Sequence, residues 1–442
     1  MARGPNNGNA NKLLPEDRPV HQWYRFVLSF PPHLVRDYIT RFELGPDHCV
    51  LDPFCGTGTT LVECKKLGIP SVGVEANLMA YYASSVKADW GIEPGRLLRH
   101  ARAVAERTRA LLECERLPVE STDGDGESAL KKHGFSLRIL DPAKAKLLLK
   151  GSISPLPLHR TLALLQELEK SRRSSSYRHE KLALARALVE SLGNLHFGPE
   201  VGVTAPKKDA PVTAAWLQCI EAMAEDLRMV RSNGGVECTV YHGDSRDIGE
   251  LLAPDSIDAV ITSPPYPNEK DYTRTTRLES VVLGFLGGMA SLREMKQSLV
   301  RSNTRNVYKA DSDDKWVEGH PEIDRIAKQI EKRRIALGKK SGFERLYHRV
   351  AKLYFGGMAR HLHDLRRVLR PGARLAYVVG DQASYLRVKI RTGKLLAGIA
   401  ESLGYEVLGT DLFRTRLATA TREQLREEVV LLRWPGPRHR AS

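Results

Sequence analysis

Two short stretches of this 442-residue chain carry side chains in arrangements suited to chemistry. The first is Thr262-Ser263-Pro264-Pro265-Tyr266, at the end of an apolar run over 256–262. A Pro-Pro step continues neither a sheet ladder nor a helix, so it fixes a stiff, extended exit from a strand. The Pro264 carbonyl and the Ser263 hydroxyl are then two acceptors for one amino group with two N–H donors. Tyr266 offers a flat face on which a planar base can stack. The second stretch is Asp52-Pro53-Phe54-Cys55-Gly56-Thr57-Gly58-Thr59-Thr60. Glycines there let the backbone pass close to a ligand, and amides at a helix start face outward. Glu75 ends the next predicted strand, positioned to accept from ribose hydroxyls. Leu61 stands where a dinucleotide site has its third glycine, and the lysine of an ATP P-loop is absent. A nucleoside ligand without phosphates remains, and S-adenosylmethionine is the common one.

Each motif also has a plain structural reading. Ser263 to Tyr266 is a strand-ending turn, Asp52 a helix-capping acid, and Cys55 a small packing residue rather than a reactive thiol. Asp381 is read equally as a cleft or a turn residue. Asp271-Tyr272-Thr273-Arg274 either contacts the target nucleotide's backbone or caps a helix. His21 and Trp23 are read as packing, and Phe197-Gly198-Pro199-Glu200 as a turn.

The elements that must position these groups follow an αβ rhythm. A strand at 49–51, a Gly/Thr turn, a helix at 59–67 and a strand at 71–74 make a βαβ unit. Strands recur at 237–241 and 256–262. A helix over about 349–369 is expected to close on Arg370-Pro371-Gly372. A strand at 375–379, a helix at 391–403 and two antiparallel strands at 406–414 and 428–433 complete the pattern. Two mainly helical insertions interrupt it. The first, 91–235, has helices predicted at 97–115, 158–170, 178–195 and 211–231. The second, 269–345, is basic and is the candidate target-recognition region. Residues 1–20 are expected to be a mobile arm, and 21–90, 236–268 and 346–435 to form the core.

The combination resembles the S-adenosylmethionine-dependent amino-methyltransferases of DNA, the N4-cytosine/N6-adenine family. There, [DNS]-P-P-[YFW] holds an exocyclic amine and D-x-F-x-G-x-G binds the cofactor. The resemblance covers 21–90, 236–268 and 346–435, and the cofactor motif precedes the catalytic one. It implies a Rossmann-like α/β sheet, mostly parallel with an antiparallel last strand. It makes Ser263, Pro264, Pro265 and Tyr266 the catalytic residues. The cofactor-binding set is Asp52, Phe54, Cys55, Gly56, Thr57, Gly58, Thr59, Thr60, Glu75 and Asp244. Phe30-Pro31-Pro32-His33-Leu34-Val35 looks like the family's N-terminal cofactor-side motif. A serine in the first catalytic position is the form associated with cytosine N4. Adenine N6, an RNA base and a catalytically silent scaffold are the alternatives. C5 methylation would need a Pro-Cys nucleophile, and the chain has no Pro-Cys. Duplex DNA with a flipped target base is the implied partner, alongside a cognate restriction endonuclease.

Composition agrees with that reading. With 68 Lys and Arg against 53 Asp and Glu, the net charge is +15, which favours a polyanion. The runs KSRRSSSYRHEK (170–181) and EKRRIALGKK (331–340) are solvated faces that a DNA enzyme would use as phosphate contacts. The 42% hydrophobic and 27% charged fractions are those of a globular protein. Six cysteines without a C-x-x-C pair speak against a disulfide scaffold or a structural zinc. No membrane span, no signal peptide and no metal site are expected, and a cytoplasmic setting is.

Overall fold

The computed structural model describes residues 13–25, 29–115, 136–198, 201–268, 270–417 and 424–437. Its centre is a seven-stranded sheet of β1 (Val50–Asp52), β2 (Ser71–Glu75), β5 (Cys238–His242), β6 (Ile257–Thr262), β7 (Leu369–Gly380), β8 (Glu406–Leu417) and β9 (Gln424–Arg433). The order is β5-β2-β1-β6-β7-β9-β8. Strands β5 to β7 in that order pair in parallel, and β9 runs antiparallel to both β7 and β8. This is the expected mostly parallel sheet with an antiparallel strand at its far side. No helix among the described residues is long and apolar enough to cross a membrane.

The inner strands are apolar on both faces, as a sheet covered on both sides requires. Leu51, Val260, Leu375, Tyr377, Val430 and Leu432 face the Tyr347–Leu365 and Thr392–Ser402 helices. Their sequence neighbours Val50, Ala259, Ile261, Ala376, Val378, Val429 and Leu431 face Leu34, Val35, Tyr38 and Ile39 of the Pro32–Arg41 helix. The alternation is the period of two of a pleated strand.

The first insertion packs into a helical core that it shares with Met79, Ala83 and Val86 of the Leu78–Lys87 helix. The Pro94–Cys114, Pro155–Glu169, Tyr177–Ala187 and Val212–Val230 helices bury Leu97, Leu164, Leu182, Trp216 and Ile220 together. The second insertion is not one module. Leu278, Val281 and Leu292 join that helical core, whereas Val317, Ile323 and Ile326 join the sheet core.

Three expectations are corrected. The Tyr347–Leu365 helix ends before Arg370-Pro371-Gly372, which lies inside β7. There Leu369 pairs with Ile257, and the Gly372 amide donates to the Trp434 carbonyl, so sheet pairing overrides the turn signal. The first insertion also carries a small hairpin, β3 (Leu195–Phe197) with β4 (Val201–Val203), where only a turn was expected. Part of the supposed mobile arm is packed. Asp17 and Val20 are buried, and the Val20 amide and Trp23 Nε1 both donate to Asp226 Oδ2 at 2.8 Å. That acid is 206 residues away, so nothing local announces it. Residues 1–12 of the arm lie outside the described residues.

The second insertion meets the sheet core where Gly356 faces the 313–317 turn. A Cβ at Gly356 would lie 1.9 Å from the Asp313 carbonyl oxygen, whereas one at Gly398 would meet nothing within 4 Å. Gly356→Ala should therefore lower the unfolding free energy by about 1–3 kcal/mol through overpacking. Gly398→Ala should leave it unchanged or raise it by up to ~1 kcal/mol. Urea denaturation of both variants checks this, and equal stabilisation by both would contradict the packing.

Candidate active site

The parallel sheet changes winding direction between β1 and β6. In open α/β sheets the crevice at that point, beyond the carboxyl ends of the strands, is where ligands bind. Both sequence motifs leave the sheet there, one from each strand.

The loop after β1 is shaped by its glycines. Gly56 and Gly58 have φ of 52° and 83°, and Gly58 begins the Thr59–Lys66 helix. A Cβ on Gly58 would lie 3.1 Å from Ser84 Cβ, so the Leu78–Lys87 helix packs directly on the turn. That helix also supplies Lys87, which is buried and donates to the carbonyls of Thr57 (2.7 Å) and Tyr24 (3.3 Å). Burial pushes its pKa down to about 7.

Asp52 joins the two motifs. Its Oδ1 accepts from Thr262 Oγ1 at 2.6 Å and from the Phe54 amide at 3.2 Å. Its Oδ2 accepts from Thr60 Oγ1 at 2.7 Å. Burial raises the carboxyl pKa to about 6 although all three hydrogen bonds favour ionisation. Thr262 precedes Ser263-Pro264-Pro265, so one carboxylate holds both the start of the helix after the Gly-rich loop and the strand end that carries the elbow.

Glu75 closes the loop from β2. Its Oε2 accepts from the Gly56 amide at 2.8 Å and its Oε1 from the Asn77 amide at 2.7 Å. Burial raises its pKa to about 7. Each oxygen keeps a further lone pair for a ligand hydroxyl. Cys55 is buried, and burial drives its thiol pKa well up, so it acts as the expected packing residue. The Phe54 ring meets the edge of His361 at 4.9 Å between centroids. His361 is neutral, its pKa lowered to about 4 by burial. It therefore donates from Nδ1 to the Ser245 carbonyl and accepts at Nε2 from the Tyr377 hydroxyl, both at 2.7 Å.

The elbow rests on β7. Ser263 Oγ donates to the Val378 carbonyl at 3.3 Å. The Tyr266 amide donates to the Tyr272 hydroxyl at 3.1 Å. The Tyr266 ring lies against Gly380, where a Cβ would come within 3.0 Å of it. A single cavity of about 600 Å³ is lined by Phe54, Cys55, Gly56, Thr57, Thr59 and Glu75 and equally by Ser263, Pro264, Pro265 and Tyr266. Phe30, of the predicted N-terminal motif, lines it too.

A DNA methylase family model, that of the N6/N4 methyltransferases, matches residues 5–86. The chain is 23% identical over 439 residues to the Type II methyltransferase M.BsoBI of Geobacillus stearothermophilus, covering 95% of this chain and 85% of that one. It is 22% identical over 471 residues to the Type II methyltransferase M.AvaI of a Nostoc species, covering 95% and 87%. A third, M.MjaII of Methanocaldococcus jannaschii, is 36% identical over 69 residues, 15% of this chain and 13% of its own. The chain is thus similar to Type II methyltransferases over nearly its whole length, and to the DNA methylase family model over 5–86.

Not every predicted site residue reaches the cavity. Asp52, Gly58 and Thr60 stand behind the wall and shape it. Asp244 is turned aside: it accepts from the Arg246 amide and Nε at 2.9 Å and forms an ion pair with that guanidinium. Its neighbours Gly243 and Ser245 line the cavity instead. Asp271 caps a short helix by accepting from the Thr273 amide at 3.0 Å, and Asp381 is buried beside the Arg426 carbonyl rather than in the cavity wall. Sequence reasoning missed Lys87, because a lysine in a helix's last turn reads as a surface residue. It also missed Gln382, Arg414, Arg416 and Glu427, which come to the cavity from β8, β9 and the exit of β7.

Removing the Asp52 carboxylate would leave the buried Thr262 hydroxyl and the Phe54 amide without their acceptor, and Thr60 Oγ1 with only the Ile261 carbonyl at 3.1 Å. Asp52→Ala should cost about 1–3 kcal/mol of stability. Thr262→Val, which removes one donor and nearly keeps the shape, should cost less. Guanidinium titrations rank the two, and a costlier Thr262→Val would contradict Asp52 as the shared acceptor.

Proposed function

We propose that the chain transfers methyl from S-adenosylmethionine to the N4 amine of cytosine in a specific sequence of duplex DNA. The observation that carries this is the single cavity lined by both Glu75 with the Gly56 loop and the Ser263–Tyr266 elbow.

The wall fits the cofactor. Glu75 is a half-buried carboxyl with unused lone pairs, suited to ribose hydroxyls. No atom lies within 4 Å of where a Gly56 Cβ would stand, so a ligand can lie against that backbone. Phe30, Phe54 and Thr57 complete the lining on that side. When bound, S-adenosylmethionine supplies an electrophilic methyl on a sulfonium sulfur.

The remaining work falls to the elbow. The N4 lone pair of cytosine is delocalised into the ring and attacks poorly. Ser263 Oγ and the Pro264 carbonyl accept the two amino hydrogens and draw the nitrogen towards a tetrahedral shape. Its lone pair then faces the methyl group. Their contribution is positioning and electrostatic preorganisation, with no protein nucleophile. Tyr266 holds the base out of the duplex stack. The serine at 263 favours cytosine over adenine. The Type II methyltransferases among the relatives favour DNA over RNA and support a cognate endonuclease as the cellular counterpart. The intact acceptor pair and carboxylate speak against a silent scaffold.

Tritium transfer from labelled cofactor to duplex DNA, followed by nucleoside analysis, should yield N4-methylcytosine. Labelled N6-methyladenine would overturn the base assignment, and label in RNA alone would overturn DNA as substrate. Tyr266→Ala should lower turnover about 5- to 150-fold, the equivalent of ~1–3 kcal/mol per stacked base, with cofactor affinity unchanged. Unchanged turnover would contradict stacking.

Protonating Glu75 removes acceptor capacity from the ribose site. With its pKa near 7, affinity for S-adenosylhomocysteine should rise with pH through about 7. Glu75→Gln should flatten that rise. Calorimetry across neutral pH reads it, and a wild-type affinity independent of pH would contradict the assignment.

A further inference from the structure

Gln382 lines the cavity at the exit of β7, two residues beyond the Gly380 on which Tyr266 rests. It is 2% exposed and is held from every side. Its backbone pairs with Ile390 in both directions, at 3.0 and 2.7 Å, closing the 382–390 loop at its base. Inside that loop Leu386 and Arg387 both take positive φ, 54° and 61°. Two consecutive side-chain-bearing residues in that region persist only where the surroundings fix them, a feature of functional loops. Tyr385, buried, ties the loop to the Ser302 carbonyl at 2.8 Å.

The direction of the Gln382 amide is also settled. Arg416 Nη2 donates to Gln382 Oε1 at 3.0 Å and to the Asp381 carbonyl at 2.9 Å. A guanidinium has donors and no acceptor, so the amide must present its oxygen to Arg416 and its NH2 the other way. That NH2 reaches the Gly380 carbonyl at only 3.3 Å, and the same carbonyl already accepts from Thr392 Oγ1 at 2.8 Å. One N–H is at most weakly used and the second is available. The cavity wall thus presents a pair of acceptors, Ser263 and Pro264, and close to Tyr266 a fixed donor.

We infer that Gln382 donates to N3 of the target cytosine, the ring acceptor beside the amino-bearing carbon. This rests on the cytosine reading of the site and deepens it. Acceptors for the amine with a donor for N3 match the pairing edge of cytosine. Thymine places a carbonyl where the acceptors lie and an N–H where the donor lies, so both contacts become repulsive. A site that leaves its own buried polar groups unpaired against the wrong base discriminates strongly. Arg416 acts through Gln382 as a positioning residue.

The test uses full-length enzyme and duplexes whose target is cytosine or 3-deazacytosine, which carries C–H in place of N3. Wild type, Gln382→Ala and Gln382→Glu are compared. The glutamate keeps an acceptor for Arg416 but has no donor for the base. S-adenosylhomocysteine affinity reports that the cofactor side is intact. On cytosine, both variants should lose roughly tenfold or more in kcat/KM. The deaza base should cost wild type a similar factor and the variants little further. Wild-type rates in the variants, or a deaza penalty of equal size in all three enzymes, would overturn the role of Gln382. Methylation of adenine alone would instead overturn the cytosine reading on which it rests.

Discussion

The site depends on one buried carboxylate shared between two distant parts of the chain. Asp52 takes a hydroxyl from Thr60 on one side and, on the other, from Thr262, 210 residues further along the chain than Asp52. Together with the β1–β6 pairing and the contact of Thr60 Oγ1 with the Ile261 carbonyl, that acceptor ties the Gly-rich loop to the Pro-Pro elbow. Two reacting groups must meet at near-contact distance, so that spacing matters more than either motif alone. The arrangement carries a cost. Desolvation raises the pKa of Asp52 to about 6, and three hydrogen bonds offset only part of it.

The second constraint is the sheet register. Thr262 pairs with Tyr377, which brings Ser263 Oγ to the Val378 carbonyl and lays Tyr266 on Gly380. β7 thereby serves as the shelf for the elbow. The antiparallel β9 on its other side brings Glu427 to the cavity, and β8 brings Arg414 and Arg416, both paired with that carboxylate. That antiparallel pair thereby gives the cavity a polar wall beside the elbow.

Much of this was legible in the residues. The elbow and the Gly-rich loop are local signals, because prolines and glycines act on the backbone where they stand. The parallel strands announced themselves as short apolar runs between turn residues. What was not legible depends on distance. Asp226 holds Val20 and Trp23 from the far insertion. Lys87 is buried because a turn and Tyr24 close over it, which no helical pattern reveals. Asp244 looked like a cofactor acid and was claimed by Arg246, two residues on. The Arg370-Pro371-Gly372 step reads as a stop, and β6 and the Trp434 carbonyl hold it in the sheet. Gln382 has no motif of its own; Arg416, a β8 side chain, gives its amide a direction.

The central claim is that the elbow and the Gly-rich loop share one pocket in which an amine meets a methyl donor. The most direct measurement is a crystal structure with S-adenosylhomocysteine and a duplex carrying the recognition sequence. The account predicts a flipped cytosine on Tyr266, its amino nitrogen within hydrogen-bonding reach of Ser263 Oγ and the Pro264 carbonyl, with the cofactor sulfur on the nitrogen's open side. A base lodged elsewhere, or a cofactor on the far side of β1 from the elbow, would contradict it.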